Sequence, residues 1–517
     1  MMMKDIIRDC DYVKTGAAGI LQGGTTGPAP DIKGITYDSR KVKDGYMFVA
    51  IRGEKHDGHN FLDRAIARGA VAVVHEEEIR ERFPGIQYVR VNNSRKALAC
   101  LANNFYERPS ESLCLIGITG TNGKTTTSYL LKSILEAAGE DVGLIGTIHY
   151  MIKGQGSPAL HTTPESTEFQ GLLKEMLLAG CRYVVSEISS HALAQYRVDE
   201  TTFRTAIFTN LTRDHLDFHK TMDDYFHAKA RLFTELLLKT GTAVINLDDA
   251  SGLKLSLAIR AEEGDTGKII TYGIETKADL LAQNIVTSSE GLRFTVSFQG
   301  DTFEILSPLA GTPNVYNILA AAGAAVSLGI SWEAIIQGIH KVSSIRGRFE
   351  KVETGQDFLC VVDYAHTEDA LERLIQTARE LLKRNSGTGT KDEAPRIITV
   401  FGCGGDRDRG KRPKMGRIAS TLSDFVIITS DNPRSEEPES IIRDIEAGVI
   451  RRNYLVEPDR REAIRRAIHM GRAGDIILVA GKGHEEYQEI KGVRHRFSDR
   501  GVIEEVLKDR AGTPRES

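Results

Sequence analysis

The sequence predicts an α/β protein of three domains, and three observations carry that prediction. The chain is 517 residues long, and at roughly 100–200 residues per domain such a length calls for about three. Short apolar, β-prone runs alternate with stretches of helical periodicity, the signature of parallel sheets wound on both faces. A glycine-rich loop ending in lysine sits between one such run and a helix. Composition agrees: 41% hydrophobic and 27% charged residues exclude a disordered or collagen-like chain. With 67 Lys+Arg against 71 Asp+Glu, the net charge of −4 gives no basic field to gather nucleic acid. No apolar run nears the roughly 20 residues of a membrane helix. Charges in MMMKDIIRDCDYVK stand where a secretory signal needs an apolar stretch, so a cytoplasmic enzyme is expected. The six cysteines are scattered without a CxxC pair and read as small buried hydrophobes.

Residues 1–110 read as a small α/β domain. Asp44-Gly45 precedes a strand at 46–51, and a second strand at 71–74 precedes a charged stretch read as helix. The polar loops at 37–40 and 53–59 are candidates to meet a ligand, and YERPSES at 106–112 reads as a linker. The second domain, 111–345, opens with a continuous apolar run at 113–119, as a strand buried on both faces requires. A helix is expected at 125–138, strands at 142–148, 183–188, 206–208 and 243–247, and an alanine-rich closing helix at 315–328. The third domain, 346–517, has strands at 358–362, 397–401, 425–428 and 476–479, with a polar surface loop at 385–394.

The segment Gly117-Ile-Thr-Gly120-Thr-Asn-Gly123-Lys124-Thr125-Thr126 follows a buried strand and opens a helix, the setting a phosphate-binding loop requires. Its glycines let backbone N–H groups converge on phosphate oxygens, and the helix N-terminus adds positive potential. Lys124 is placed to bridge the β- and γ-phosphates, and the Thr125 hydroxyl to hold Mg²⁺. The strict GxxxxGK[ST] pattern needs glycine at 118, where this chain has Ile118, so the loop is a variant. Glu187 ends a strand on the side where open α/β sheets bind ligands, within reach of the same Mg²⁺. Asn210, Asp214, His215 and Asp217 crowd another strand end in the same way.

TGTNGKTTT, SEISSHAL, TNLTRDHLD, GRFE, VDYAHT, FGCGGDRDRGKRP, DNPRSEEP and AGKGHEEYQ run in the order found in the Mur ligases. From Tyr37 to about Asp499 the chain resembles that family. The resemblance implies a small N-terminal α/β domain for the UDP end of a muramoyl substrate. It also implies a central P-loop ATPase-like domain on a doubly wound sheet, and a C-terminal Rossmann-like domain for the incoming amino acid. The chemistry implied is an ATP-dependent acid–amino-acid ligation, in which a carboxylate attacks the γ-phosphate and an amine then displaces phosphate from the acyl phosphate. Two anions must meet at about 3–3.5 Å, so Mg²⁺ ligands and lysines are expected to dominate the site.

On the same resemblance ATP would lie on Gly120, Thr121, Asn122, Gly123, Lys124, Thr125, Thr126, Asn314 and Asn317, with Arg348, Asp363 and His366 supplied by the third domain. Lys124, Glu187, His215 and Lys229 are the implied catalytic set, and Thr125, Glu187, His215 and Lys229 the implied metal ligands. Lys229, by sequence alone a helix-surface lysine, is implied to be carbamylated. An ammonium cannot ligate Mg²⁺, whereas a carbamate presents a hard oxygen anion. The UDP substrate is implied to meet Tyr37, Ser39, Glu54, Lys55 and His56, then His161, Thr162, Thr163, Ser189, Gln195 and Arg197. His161 stands where the family commonly has asparagine.

Asp431-Asn432-Pro433-Arg434 is the form of its motif associated with meso-2,6-diaminopimelate, and Arg407, Gly481 and Glu485 complete the implied acceptor pocket. Diaminopimelate carries a distal carboxylate that a guanidinium grips with two charge-assisted hydrogen bonds. Glu485 suits its distal ammonium. The alternatives are L-lysine as acceptor, another ligase of the superfamily such as a folylpolyglutamate synthase, and a nucleotide-gated regulator without transfer. The third-domain motifs weigh against the second alternative, and the intact Glu187, His215 and Lys229 against the third. Expected partners are the UDP-N-acetylmuramoyl dipeptide and diaminopimelate, with no nucleic acid, no membrane insertion and a monomeric chain.

Overall fold

The apolar run that opens the second domain becomes the strand Cys114–Thr119, buried along its length apart from Cys114. In the computed structural model, which describes residues 1–13, 30–53, 56–79, 82–263, 268–288, 290–385 and 394–512, this strand lies inside an eleven-stranded sheet. Tyr183–Glu187 pairs with it on one side and Phe203–Phe208 on the other, both parallel. Val142–Ile145, Leu237–Asn246 and Lys268–Gly273 extend the parallel ladder outward. Chain order reverses at Cys114–Thr119, so the loop leaving it occupies the switch point where open α/β sheets bind ligands.

Antiparallel wings that the sequence reading did not contain flank this centre. They are the hairpin His149–Ile152 with Gln155–Pro158, and the meander of Leu280–Ser288, Gly291–Phe298 and Asp301–Ser307. Apolar clusters cover both faces, as a doubly wound sheet demands. One packs the helices Lys124–Ala137, Thr312–Ser327 and Trp332–Lys341, the other Ser166–Leu178 and Met222–Thr234. The alanine-rich helix starts three residues earlier than 315, at Thr312, because Pro313 suits a first helical turn.

The first sheet has four parallel strands, Gly34–Thr36, Tyr46–Val49, Ala70–His75 and Gln87–Arg90. The charged stretch after Val74 is not helical in its described residues. Pro84 disfavours the helical backbone at Phe83 and ends any such turn. Cys10 and Cys100 form a disulfide between the turn after the helix Met3–Ile6 and the helix Ser94–Phe105. This corrects the reading of both as unpaired hydrophobes; a separation of 90 residues gave no spacing cue. Cys114, Cys181, Cys360 and Cys403 are free.

The third sheet runs Glu350–Val352, Leu359–Asp363, Ile476–Ala480, Ile397–Phe401, Phe425–Ile428, Tyr454–Val456, with only the first strand antiparallel. A separate hairpin, Tyr487–Ile490 with Val493–Arg496, follows it. Most of the expected loop at 385–394, namely 386–393, lies outside the described residues. Among the described residues no helix is long and apolar enough to cross a membrane.

Candidate active site

Gly120 and Gly123 have left-handed backbone, with φ of 149° and 89°. Both are also tight. A Cβ on Gly120 would lie 1.9 Å from Thr209 Oγ1, and one on Gly123 2.4 Å from Asn317 Oδ1. The loop thus folds against the end of Phe203–Phe208 and the start of Thr312–Ser327. Lys124 heads its helix, and its Nζ donates to the carbonyls of Gly120 and Thr121 at 2.8 and 2.9 Å. The Thr125 hydroxyl donates to Glu187 Oε2 at 2.9 Å. Glu187 is fully buried and also accepts from the Thr147 hydroxyl at 2.8 Å and the Thr147 N–H at 2.9 Å. Sequence reasoning missed Thr147, although it too follows the C-terminal end of a parallel strand.

Lys229 is 1% exposed, not on the helix surface. It shares the buried face of Met222–Thr234 with Tyr225, Phe226, Leu232 and Phe233, and the spacing 225, 229, 232 was a helical signal for that burial. Its Nζ donates at 2.8 Å to Gly120 O, the oxygen that also accepts from Lys124. Burial lowers its pKa well below the ordinary lysine value, and Lys124 pushes the same way. His215 has a left-handed backbone, φ 55°, and its Nε2 lies 3.3 Å from Asp214 Oδ2. Burial alone would raise the Asp214 pKa, but His215, His366 and Lys411 outweigh it and keep the carboxylate ionised.

The third sheet closes over this loop. Arg348 donates to Thr125 Oγ1 at 3.1 Å, with its guanidinium 4.6 Å from the Tyr364 ring centroid. Asp363, at the end of Leu359–Asp363, accepts from the N–H groups of Phe349 and Ala365 at 2.6 and 2.8 Å. Burial raises its pKa, and Arg348 and those N–H groups oppose the rise. His366 Nδ1 sits 2.8 Å from Tyr364 O. Asn122 Nδ2 donates to Asp369 at 2.9 Å, and Arg213 pairs with Asp408 at 3.2 Å. Asn317 Nδ2 donates to Asn314 Oδ1 at 3.0 Å. These surfaces enclose a cavity of about 280 Å³, which every expected ATP residue lines except Gly120.

A second cavity of about 160 Å³ shares Asp214, His215, Tyr364 and His366 with the first. Arg407, Asp431, Asn432, Arg434, Gly481 and Glu485 line its far side. Arg434 donates through Nη1 to Gly405 O at 2.7 Å. Its backbone N–H donates to Glu489 O at 3.0 Å, and its carbonyl accepts from Lys491 N–H at 2.7 Å, tying the loop to the hairpin through one parallel bridge. Asn432 Nδ2 donates to Glu485 Oε2 at 2.8 Å, and Lys482 donates to both side chains at 3.0 Å. Pro433 does not line the cavity; a Cβ on Gly405 would lie 1.9 Å from its carbonyl. Beneath, Arg460 is fully buried on Asp499 at 2.8 Å. Arg460 also donates to the carbonyls of Ser430 and Ala480, the residues just before Asp431 and Gly481. No motif flagged Arg460.

Tyr37, Ser39 and His56 line a separate cavity of about 480 Å³ with Arg40, Arg64, Arg95 and Glu165. Glu54 and Lys55 lie outside the described residues. Arg40 belongs to the loop at 37–40 that the sequence singles out, whereas Arg64 and Arg95 are distant in sequence, converge on it only on folding, and were missed. Arg197 connects this cavity to the centre. Its Nε lies 2.9 Å from Glu165 Oε1, and it donates to Gln195 Oε1 at 2.7 Å and to Thr163 O at 3.1 Å. The Thr163 hydroxyl donates to Glu187 O at 2.8 Å, while Thr162 and Ser189 line the 280 Å³ cavity. His161 lines neither cavity; its backbone is held by the Tyr150 hydroxyl.

A glycine loop at the switch point of one sheet, faced by an arginine and a carboxylate from another, defines an enzyme that closes a phosphate site between two α/β domains. Comparison with known proteins narrows that class. Three family models match, the Mur ligase family catalytic domain over 31–106, the Mur ligase middle domain over 118–325, and the Mur ligase glutamate ligase domain over 347–483. A UDP-N-acetylmuramoyl-L-alanyl-D-glutamate–2,6-diaminopimelate ligase of Solibacter usitatus is 48% identical over 92% of this chain and 94% of the relative. A ligase of the same name from Caldanaerobacter subterraneus is 46% identical over 93% and 96%. A solved structure bearing that name has a TM-score of 0.67 at 33% identity, covering 99% of this chain and 100% of the other. The chain belongs to the Mur ligase family.

Proposed function

We propose that this enzyme joins meso-2,6-diaminopimelate to the D-Glu γ-carboxylate of UDP-N-acetylmuramoyl-L-Ala-D-Glu, forming ADP and phosphate, in peptidoglycan precursor synthesis. One observation carries the reading: Arg434, Arg407 and Glu485 line a cavity that shares a wall with the phosphate-loop cavity. The γ-carboxylate oxygen attacks the γ-phosphorus, the bond to the β-bridging oxygen breaks, and ADP leaves. An amine of the acceptor then attacks the acyl carbon and expels phosphate. The N-terminal domain, residues 1–110, holds the UDP end between Tyr37, Ser39 and His56. The central domain, 111–345, holds ATP and the dipeptide, and the third domain, 346–517, the acceptor. Like its substrates, it works in the cytoplasm, as a monomer.

The protein's part is positioning and charge neutralisation. Lys124, lining the same cavity, and Arg348, donating to the Thr125 hydroxyl, supply the positive charge that a terminal phosphate needs there. The hydroxyl of Thr125 and the carboxylate of Glu187 offer hard oxygens that suit Mg²⁺. When bound, Mg²⁺ neutralises the repulsion between carboxylate and triphosphate. Lys229 fits its expected carbamylation, because burial and the neighbouring Lys124 ammonium favour the neutral amine that reacts with CO₂. His215, beside Asp214, faces the wall common to both cavities.

The test is phosphate release dependent on both ATP and the UDP-dipeptide, with diaminopimelate or L-lysine as acceptor. Lysine leaves Arg434 without its anion, at a cost of about 1–3 kcal/mol, so kcat/KM should favour diaminopimelate about tenfold or more. Equal efficiency with the two acceptors would overturn the reading.

A further inference from the structure

Glu187 is fully buried, and two of its three side-chain donors come from a single residue, Thr147. Thr147 follows Gly146 at the end of Val142–Ile145. A Cβ on Gly146 would lie 2.5 Å from Glu187 Oε1, so glycine there lets the carboxylate lie against the backbone and meet the Thr147 N–H. The Thr147 hydroxyl also lies 3.1 Å from Thr162 Oγ1.

Proton counting sets the direction of each bond. A hydroxyl has one proton to donate, and Thr147 gives its proton to Glu187 Oε2, so Thr162 donates to Thr147. Thr125 likewise gives its proton to Glu187 and accepts from Arg348. The result is one oriented network: Arg348 to Thr125 to Glu187 from one side, Thr162 to Thr147 to Glu187 from the other. With its proton committed, Thr162 presents only acceptor lone pairs to the 280 Å³ cavity it lines. The substrate group that fits it is an amide N–H or hydroxyl of the nucleotide dipeptide.

We propose that Thr147 is a positioning residue, holding Glu187 in its cation-binding orientation and coupling that orientation to the dipeptide through Thr162. This rests on the reading of Glu187 as a Mg²⁺ ligand. Loss of an outer-shell partner commonly costs about 10- to 100-fold in metal affinity. The retained Thr147 N–H bond places Thr147→Val at the low end of that range.

The test is Mn²⁺ binding to the full-length enzyme with a non-hydrolysable ATP analogue, read by electron paramagnetic resonance with and without the UDP-dipeptide. Thr147→Val should bind Mn²⁺ about tenfold more weakly and lose the tightening that the dipeptide gives the unaltered enzyme, while Thr147→Ser stays within about twofold. Affinity for the analogue without metal should stay unchanged in both, and thermal unfolding checks that both fold. Wild-type Mn²⁺ binding by Thr147→Val, with weakened binding by Glu187→Gln, overturns the coupling alone. Equal losses in the Ser and Val variants also overturn it, since they would report packing. Undiminished binding by Glu187→Gln overturns the metal reading of Glu187 and this proposal with it.

Discussion

At the scale of single residues, Gly120 O is the most telling atom, because two lysine amines converge on it. Two ammonium groups sharing one buried acceptor repel, and a buried cation without a carboxylate partner is costly. Lys229 is the deeper of the two, and its lowered pKa follows from burial first and Lys124 second. We expect Lys229→Ala to lose most turnover, with added CO₂ failing to restore it; wild-type-like phosphate release would refute this. Labelled bicarbonate should give the intact enzyme a carbamate carbon signal by NMR that the variant lacks. Much of this site was legible in the sequence, since Lys124 and Thr125 follow from the phosphate-loop pattern and Glu187 from its place at a strand end. Lys229 was visible only through the resemblance, because a lysine on a helix ordinarily marks the solvated face and so masks the buried 225, 229, 232 spacing. Thr147 has no motif and declares itself only through its hydrogen bonds.

At the scale of elements, loops are held by charges placed beneath them. Arg460 ties the strand ends carrying Asp431 and Gly481 together while paired with Asp499. Arg460→Met would leave a buried carboxylate unpaired. We expect a loss of about 3–5 kcal/mol in urea unfolding, and a raised KM for the amino acid. Glu436 accepts from Arg412 at 2.8 Å and from the Asp406 N–H at 2.7 Å, tying the loop after Phe401 to the loop that carries Arg434. Its pKa falls from 4.5 to about 2, chiefly through the Arg412 hydrogen bonds. A folded pKa below the unfolded one stabilises fully above pH 4.5 and progressively less as pH falls toward 2. Urea midpoints for Glu436→Gln should therefore lie below wild type at pH 7, and the gap should narrow below pH 4.5.

A helix contact makes a similar point. A Cβ on Gly338 would lie 2.3 Å from Ile134 Cα, so Gly338→Ala must part Trp332–Lys341 from the phosphate-loop helix. Overpacking of this kind costs about 1–3 kcal/mol, measurable as a lowered Tm. The parallel strands and buried helices were legible because continuous apolar runs betray burial on both faces. The edge strands Gln155–Pro158 and Val493–Arg496 are exposed along their whole length. They carry no such run and went unseen.

For the whole molecule, the second and third sheets meet around two cavities with a common wall, and the first sheet borders a separate one. Arg348 on Thr125, Asn122 on Asp369 and Arg213 on Asp408 join the second and third units. Replacing Asp369 and Asp408 together with alanine should raise the radius of gyration in solution scattering. It should also raise KM for ATP more than KM for the UDP-dipeptide, which the proposed function places chiefly on the first and second units. An unchanged radius would show that these two ties do not hold the units together. Arrangement at this scale was not legible from composition or periodicity, because the joining residues are isolated polar groups scattered from 122 to 408.

The wall of Asp214, His215, Tyr364 and His366 has a pharmacological corollary. Among the described residues these four line both the phosphate-loop cavity and the Arg434 cavity, which on the proposed function take the triphosphate and the diamino diacid. A short tether between a phosphonate and an amino-acid mimic would turn two weak attachments into one, its second half arriving at an effective concentration fixed by the linker. Such a bisubstrate inhibitor would draw its selectivity among amide-forming enzymes from the half nearest Arg434.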